Sequence, residues 1–316
     1  MVSCLAPCLL LYLLLSAAIP ATAQKPSLKL VPELTIGTES GDENLIFGSI
    51  SYVDTDARGN IYVVDYKNRQ VRVFDGSGRF LRKIDVPAGQ GPQEMNQISG
   101  IAATPSGLLF INGDRKMVVY DAAGNYLRTF SVSFHVSCIR SPGTEEIVGI
   151  GPHEGKVLHV FNSEGQVLGS FGDILEVPKK FEPMKMMPMF GAPLIFSCSK
   201  DGRVFVLNQY RYEVLIFKDS QLKTTLKGTS EIYEPLTQKG RGFVSTAAAI
   251  LPAGKYILVY FISYKNEAGE ADLFLNGRQV GSLELHGVLM ASDYEGKLYF
   301  VNQENYPKVI RCSLSE

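Results

Sequence analysis

Four side chains able to offer an oxygen to a cation close short β-rich runs along this chain. Asp65 follows Ile61-Tyr62-Val63-Val64, Asn112 follows Leu108-Leu109-Phe110-Ile111, Asn208 follows Val204-Phe205-Val206-Leu207, and Asn302 follows Leu298-Tyr299-Phe300-Val301. A Ca²⁺ ion takes roughly six to eight oxygen ligands, several of them carboxylates, so a ring of such groups is one reading. The other is local. Asp and Asn side chains bond neighbouring backbone groups and shape the turn after a strand. Recurrence at equivalent places favours the turn role, because one metal site needs no residue repeated along the chain. No metal ligand, cofactor or catalytic residue is expected from this set.

The remaining chemistry-bearing residues are sparse. The four histidines, His135, His153, His159 and His286, share no ligand spacing, and His159 lies in an alternating run with Val157 and Phe161 on its own face. No Gly-x-Ser-x-Gly elbow is present. Cys4 and Cys8 precede the expected cleavage site described below, which leaves Cys138, Cys198 and Cys312. None forms a Cys-x-x-Cys pair of the kind zinc sites use. They read as buried small hydrophobes, with a Cys138–Cys198 bridge as the alternative that sequence does not decide.

These residues hang on a repeated unit. In the stretch from Arg58 to Ile84, a turn at Gly59-Asn60 opens a β run, a second run Val71-Arg72-Val73-Phe74 follows, and Asp75-Gly76-Ser77-Gly78 turns into Phe80-Leu81-Arg82-Lys83-Ile84. Turn and strand alternating in this way make an antiparallel meander. The unit returns from Ile101, Ser141, Ser199, Leu251 and Ser292 onward, and its third-strand aromatic recurs at Phe74, Tyr120, Phe161, Phe217 and Phe274. Intervals of about 40 to 60 residues fit one four-stranded blade with variable loops. The sixth copy lacks a fourth strand, while Leu28 to Ile36 lacks a partner. Closure of the last blade by that N-terminal strand resolves both, and it protects the sheet edges. The expectation is an all-β fold: a six-bladed β-propeller of four-stranded antiparallel blades, occupying residues 24–316 as a single domain.

The run Gly59-Asn60-Ile61-Tyr62-Val63-Val64-Asp65, continuing through Asn68, Val71, Val73, Phe74 and Asp75, resembles the NHL repeat of six-bladed propellers. Gly89-Gln90-Gly91-Pro92-Gln93-Glu94-Met95 resembles a Gly-x-Gly-Pro-x-Glu-Phe loop of bacterial secreted propellers of that kind. The resemblance speaks to fold more than to activity. It implies that Asp65 belongs to the repeat itself. Relatives implied by it include calcium-dependent lactonases and hydrolases, for which Glu94, Asn96, Asp54 and Asp293 are available without a matching spacing, and lyases whose metal is held by several histidines. The chain has no Trp, which separates it from WD40 and kelch blades.

Function is therefore sought where later copies depart from the first. Residues 172–193 hold Met184, Met186, Met187 and Met189, four of the chain's eight methionines. Methionine is adaptable and common at promiscuous binding surfaces, and long loops usually serve a purpose. Gln238-Lys239-Gly240-Arg241-Gly242-Phe243 pairs two positive charges with hinge glycines. These loops, the Gln90–Asn96 segment and His135 all lie between blades and should gather on one face. The candidate binding residues are Gln90, Glu94, Asn96, His135, Met186, Met187, Arg241 and Phe243.

Lys and Arg total 31 against 32 Asp and Glu, a formal charge of −1. No basic run marks a nucleic-acid partner. Residues 1–23, with the apolar core Leu9 to Leu15, a break at Pro20 and Ala21-Thr22-Ala23 before Gln24, read as an export signal, although no Lys or Arg precedes the core. Roughly 15 apolar residues fall short of the ~20 a membrane span needs. The expectation is a secreted or periplasmic, non-catalytic scaffold binding a protein or small ligand on one face of the ring, with no membrane span after cleavage. A metal-dependent hydrolase or lyase is the alternative.

Overall fold

The computed structural model describes residues 28–184, 195–230, 233–239, 242–244, 246–262, 269–285 and 287–315. The first strand, β1 (Lys29–Ile36), is set aside by the topology until the end. Blade one is β2 (Ile50–Thr55), β3 (Ile61–Asp65), β4 (Gln70–Phe74) and β5 (Phe80–Asp85). Blade two is β6 (Gly100–Ala103), β7 (Leu109–Gly113), β8 (Lys116–Tyr120) and β9 (Tyr126–Ser131). Blade three is β10 (Cys138–Arg140), β11 (Ile147–His153), β12 (Lys156–Phe161) and β13 (Val167–Asp173). Blade four is β14 (Ile195–Cys198), β15 (Val204–Asn208), β16 (Glu213–Lys218) and β17 (Gln221–Lys227). A small hairpin, β18 (Thr237–Lys239) with β19 (Gly242–Val244), interrupts the path to blade five. Blade five is β20 (Ala247–Ala253), β21 (Tyr256–Ile262), β22 (Gly269–Leu275) and β23 (Arg278–Leu285). Blade six is β24 (Val288–Ser292), β25 (Leu298–Asn302) and β26 (Lys308–Ser315), and its fourth strand is β1. The architecture is an all-β, six-bladed β-propeller of four-stranded antiparallel sheets.

Closure runs as the repeat predicts. Strand β1 pairs with β26 from Lys29↔Ser315 to Ile36↔Val309, with a bulge between Pro32 and Leu34. Pro32 is tolerated because β1 is the outer edge of its sheet, where a missing N–H costs no ladder bond to a further strand. The unpartnered N-terminal stretch is thus one bulged strand.

Burial explains the residue types. All five residues of β3 are buried, whereas only one of seven in β17 is, Leu226. Inner strands sit between neighbouring blades on both faces and read as continuous apolar runs. Outer strands meet solvent and carry Lys, Thr and Gln. Six buried apolar clusters each join adjacent blades, the last uniting Ile36, Tyr299 and Val301 with Ile50, Val53 and Phe74. The recurring aromatics Phe74, Tyr120, Phe161, Phe217 and Phe274 are all buried in this way. In register, Phe74 lies opposite Ile61, Tyr120 opposite Leu109 and Phe161 opposite Ile147. The same slot in blade six, opposite Leu298, holds Cys312. That thiol is therefore a small substitute for the aromatic, 4% exposed. The turn after each inner strand depends on a positive backbone φ, as at Gly59 (79°) and Gly143 (84°), and a Cβ on Gly143 would meet the Lys200 carbonyl oxygen at 2.1 Å. Only glycine fits there.

One buried carboxylate carries a pH prediction. Asp272 on β22 faces blade four, is 2% exposed and accepts a hydrogen bond from the Tyr212 hydroxyl. Burial raises its pKa to about 6, with Glu270 adding to the rise and the Tyr212 and Gln279 bonds opposing it. A folded-state pKa above the unfolded one means that the folded protein holds the extra proton. The associated stability is complete below about pH 4 and is lost as pH rises through about pH 6. Asp272→Asn removes the ionisation and keeps an acceptor for Tyr212. It is expected to gain about 1–3 kcal/mol near neutral pH and to flatten the fall between pH 4 and 6, measured by urea unfolding across that range. An unchanged pH profile would contradict the assignment.

Candidate functional site

Asp65 is a fastener. Its carboxylate accepts from the backbone N–H of Gly48 (2.9 Å), Ser49 (3.1 Å) and Asn68 (3.3 Å) and from Asn68 Nδ2 (2.8 Å). Arg72 Nη2 lies 3.3 Å from it, and both side chains are buried. Arg72 in turn donates through Nη1 to the carbonyls of Glu43, Asn44 and Ile46 and stacks on Phe47. The network clips the β1–β2 connection onto blade one. In blade two Asn112 Nδ2 donates to the Val136 carbonyl at 2.9 Å. Asn208 and Asn302 accept from the N–H groups of Tyr210 and Glu304, two residues on. The four oxygen-bearing residues thus serve four separate connections. Among the described residues no three His, Cys, Asp or Glu side chains form a group that could hold a metal ion.

The connection from each outer strand to the next inner strand defines one face of the ring. Gln90, Glu94 and Asn96 lie in the connection from blade one to two, and His135 in that from two to three. Gln90, Asn96 and His135 are exposed. Glu94 instead serves its own loop: Oε2 accepts from Gly91 N–H at 2.9 Å, and a Cβ on Gly89 would meet that oxygen at 2.0 Å. This is the physical content of the Gly-x-Gly-Pro-x-Glu pattern. Lys116 Nζ and Thr129 Oγ1 donate to the carbonyls of Gly91 and Pro92 and lay the loop over blade two, away from the channel. Met95 is fully buried in the cluster between blades one and two. Phe243 lies on β19, paired with Gln238. Met186, Met187 and Arg241 lie outside the described residues, as do His286 and residues 1–23.

The described histidines are packed or apart. His159 is fully buried, its Nδ1 2.8 Å from Ser170 Oγ and its Nε2 2.9 Å from the Gly151 carbonyl. Burial depresses its pKa, with the Gly151 bond only partly opposing this. His153 stacks on Phe134 at 4.2 Å. Cys138, Cys198 and Cys312 are free thiols, so the bridge between Cys138 and Cys198 is absent. Burial pushes the Cys198 thiol up to about 12.

Inner strands bring together residues that the repeat does not predict. Asp54 on β2 accepts from the N–H of Ala103 and of Thr55, each at 2.8 Å. Lys200, just beyond β14 in blade four, reaches across the channel to Asp54 at 3.1 Å and to the Thr55 carbonyl at 3.3 Å. The Asp54 and Lys200 side chains are 9% and 10% exposed. Lys200 also sits 5.2 Å from the centre of the Tyr294 ring of blade six. The pair closes the channel at the end carrying the turns that follow the inner strands.

Toward the opposite end is a cavity of about 240 Å³, walled by Tyr52, Cys138, Phe196, Leu251, Leu289 and Met290 among others. Ile195, Ala248 and Val288, at or near the starts of their inner strands, also line it and place it on the connection face. Val288 is 36% exposed. Arg140 enters from β10. Its Nη1 donates to Cys138 Sγ and to the Ile139 carbonyl, both at 2.9 Å, and the guanidinium lies 6.0 Å from the Phe196 ring centre. Burial opposes its charge, yet the fields of Cys138, Asp54, Cys198 and Tyr52 outweigh that and raise its pKa. The result is a half-buried, permanently charged cation in a mostly apolar chamber to which Tyr52 and Ser197 add hydroxyl groups.

A family model described as a 6-bladed beta-propeller matches residues 36–146, which span blades one and two and the start of blade three. No curated protein matches the sequence. Solved structures match the fold. A protein described as exported, from Bacteroides fragilis, has a TM-score of 0.64 at 11% identity, covering 92% of this chain and 96% of its own. A member of the DUF4221 family from Bacteroides vulgatus has a TM-score of 0.59 at 9% identity, covering 93% and 100%. A streptogramin B lyase has a TM-score of 0.52 at 9% identity, covering 91% and 98%. At these identities the likeness is one of fold. No helix of the described residues is long and apolar enough to cross a membrane.

Proposed function

We propose that this propeller is an exported, non-catalytic binding scaffold that receives its ligand on the connection face, at the mouth of the channel. The observation that carries the reading is the unequal finish of the channel's two ends. One is closed by Asp54 and Lys200, while the other holds a cavity walled by inner-strand residues of five blades. Concave, mostly apolar pockets with a few placed polar groups are the usual form of small-ligand sites. The likeness to a protein described as exported supports secretion, with residues 1–23 as the leader and 24–316 as one propeller domain. The Gly59–Asp75 stretch supports kinship with NHL-type repeats.

The alternative, a metal-dependent hydrolase or lyase, draws on the fold shared with a streptogramin B lyase. Metal analysis separates the two. The purified protein is expected to carry no stoichiometric Ca²⁺ or Zn²⁺ after dialysis against buffer without chelator. Either ion retained at one per chain would overturn the scaffold reading in favour of the metal-dependent one.

A further inference from the structure

We propose that the channel cavity binds a small carboxylate with an apolar body, such as a medium-chain fatty-acid anion, head-first on the Arg140 guanidinium. The inference rests on the reading of the connection face as the binding face, and it specifies the ligand's chemistry. Among the described residues only Nη1 of Arg140 is engaged. Its Nε and Nη2 find no hydrogen-bond acceptor among the described residues, and the side chain forms no ion pair with them. Those two nitrogens make one edge of the guanidinium fork, the edge that takes both oxygens of a carboxylate. Asp54 is not free to serve: its oxygens already accept from Lys200, Ala103 N–H and Thr55 N–H. A cation withdrawn from water without an anion is costly to keep, and a ligand carboxylate would offset that cost.

The walls say what the rest of the ligand is. Phe196, Leu251, Leu289 and Met290 present apolar surface, and methionine adapts to the shape of what it meets. Inorganic phosphate would satisfy Arg140 and leave these walls unused. A volume of about 240 Å³ lies just under the ~300–1,000 Å³ of drug-sized pockets, which restricts the ligand to a small one.

The test is calorimetric titration of the purified protein with octanoate, with octanol as the uncharged counterpart and inorganic phosphate as the headgroup alone. Octanoate is expected to bind saturably at one per chain, and octanol and phosphate at least about tenfold more weakly. Arg140→Met should weaken octanoate by at least about tenfold and leave octanol unchanged, and Arg140→Lys should retain part of the affinity. Cys138 supplies a readout in the unaltered protein, because it lines the cavity and is more accessible than Cys198 and Cys312. Octanoate should slow its alkylation more than octanol does. If Arg140→Met fails to fold, this comparison decides the matter. Equal protection by octanol and octanoate would overturn the carboxylate inference while leaving a channel-binding scaffold in place. Saturable binding of neither probe, with no protection of Cys138, would overturn the channel as the site for both.

Discussion

Replacement of Asp65 by Ala is expected to destabilise the protein by about 3–5 kcal/mol, because it leaves the Arg72 charge buried without its anion. The loss compounds. The backbone N–H groups of Gly48, Ser49 and Asn68 also lose their acceptor, and the β1–β2 connection loses its clip. Typical domains hold only about 5–15 kcal/mol in total, so this one change threatens the fold. Asp65→Asn keeps one carbonyl oxygen for the N–H donors and should cost less, in the range of about 1–3 kcal/mol. Urea unfolding, followed by far-UV dichroism, ranks the two. Equal midpoints for Asp65→Ala and the parent protein would show that the network is not a fastener.

Loss of the closing strand has the larger effect. A chain starting at Ser27 is expected to fold, whereas one starting at Gly37 is not. The shorter chain lacks Leu28 and Ile36, both buried, together with Leu30 and Leu34, which pack partly into the clusters joining blade six to its neighbours. Fully burying each such side chain is worth about 1.5–3 kcal/mol. Deletion also strips the β26 edge of its partner from Val309 to Ser315 and exposes it to pairing with other chains. Poor solubility and a lost cooperative transition are the expected signs. A cooperative, monomeric protein from Gly37 onward would mean that the ring does not need β1.

The blade rhythm was legible because it repeats: Gly59, Asp65 and Phe74 announce a turn, a strand end and a core slot, and each has counterparts. Blade six shows the limit. Cys312 fills the aromatic slot, yet its sequence signals only one more cysteine, because the residue type changes while the register does not. The loop from Gln90 to Asn96 was legible as a departure from the repeat, but not its internal use of Glu94, which depends on where a carboxylate turns. The channel was invisible for a deeper reason. Asp54, Arg140 and Lys200 are far apart in sequence and lie at places where blades differ, so no recurrence marks them. In sequence Asp54 is only a spare carboxylate; the inner strands give it Lys200 as a partner from the opposite blade.

The proposed site is the cavity behind the connection face and not the sealed end of the channel. Soaking a crystal of the protein in octanoate distinguishes the two. Ligand density is expected in the chamber, its carboxylate within hydrogen-bond distance of Arg140 Nε and Nη2 and its chain along Phe196, Leu289 and Met290. Density instead in the opposite-face pocket lined by Arg58, Glu295, Lys297 and Arg311, with the chamber unoccupied, would contradict it.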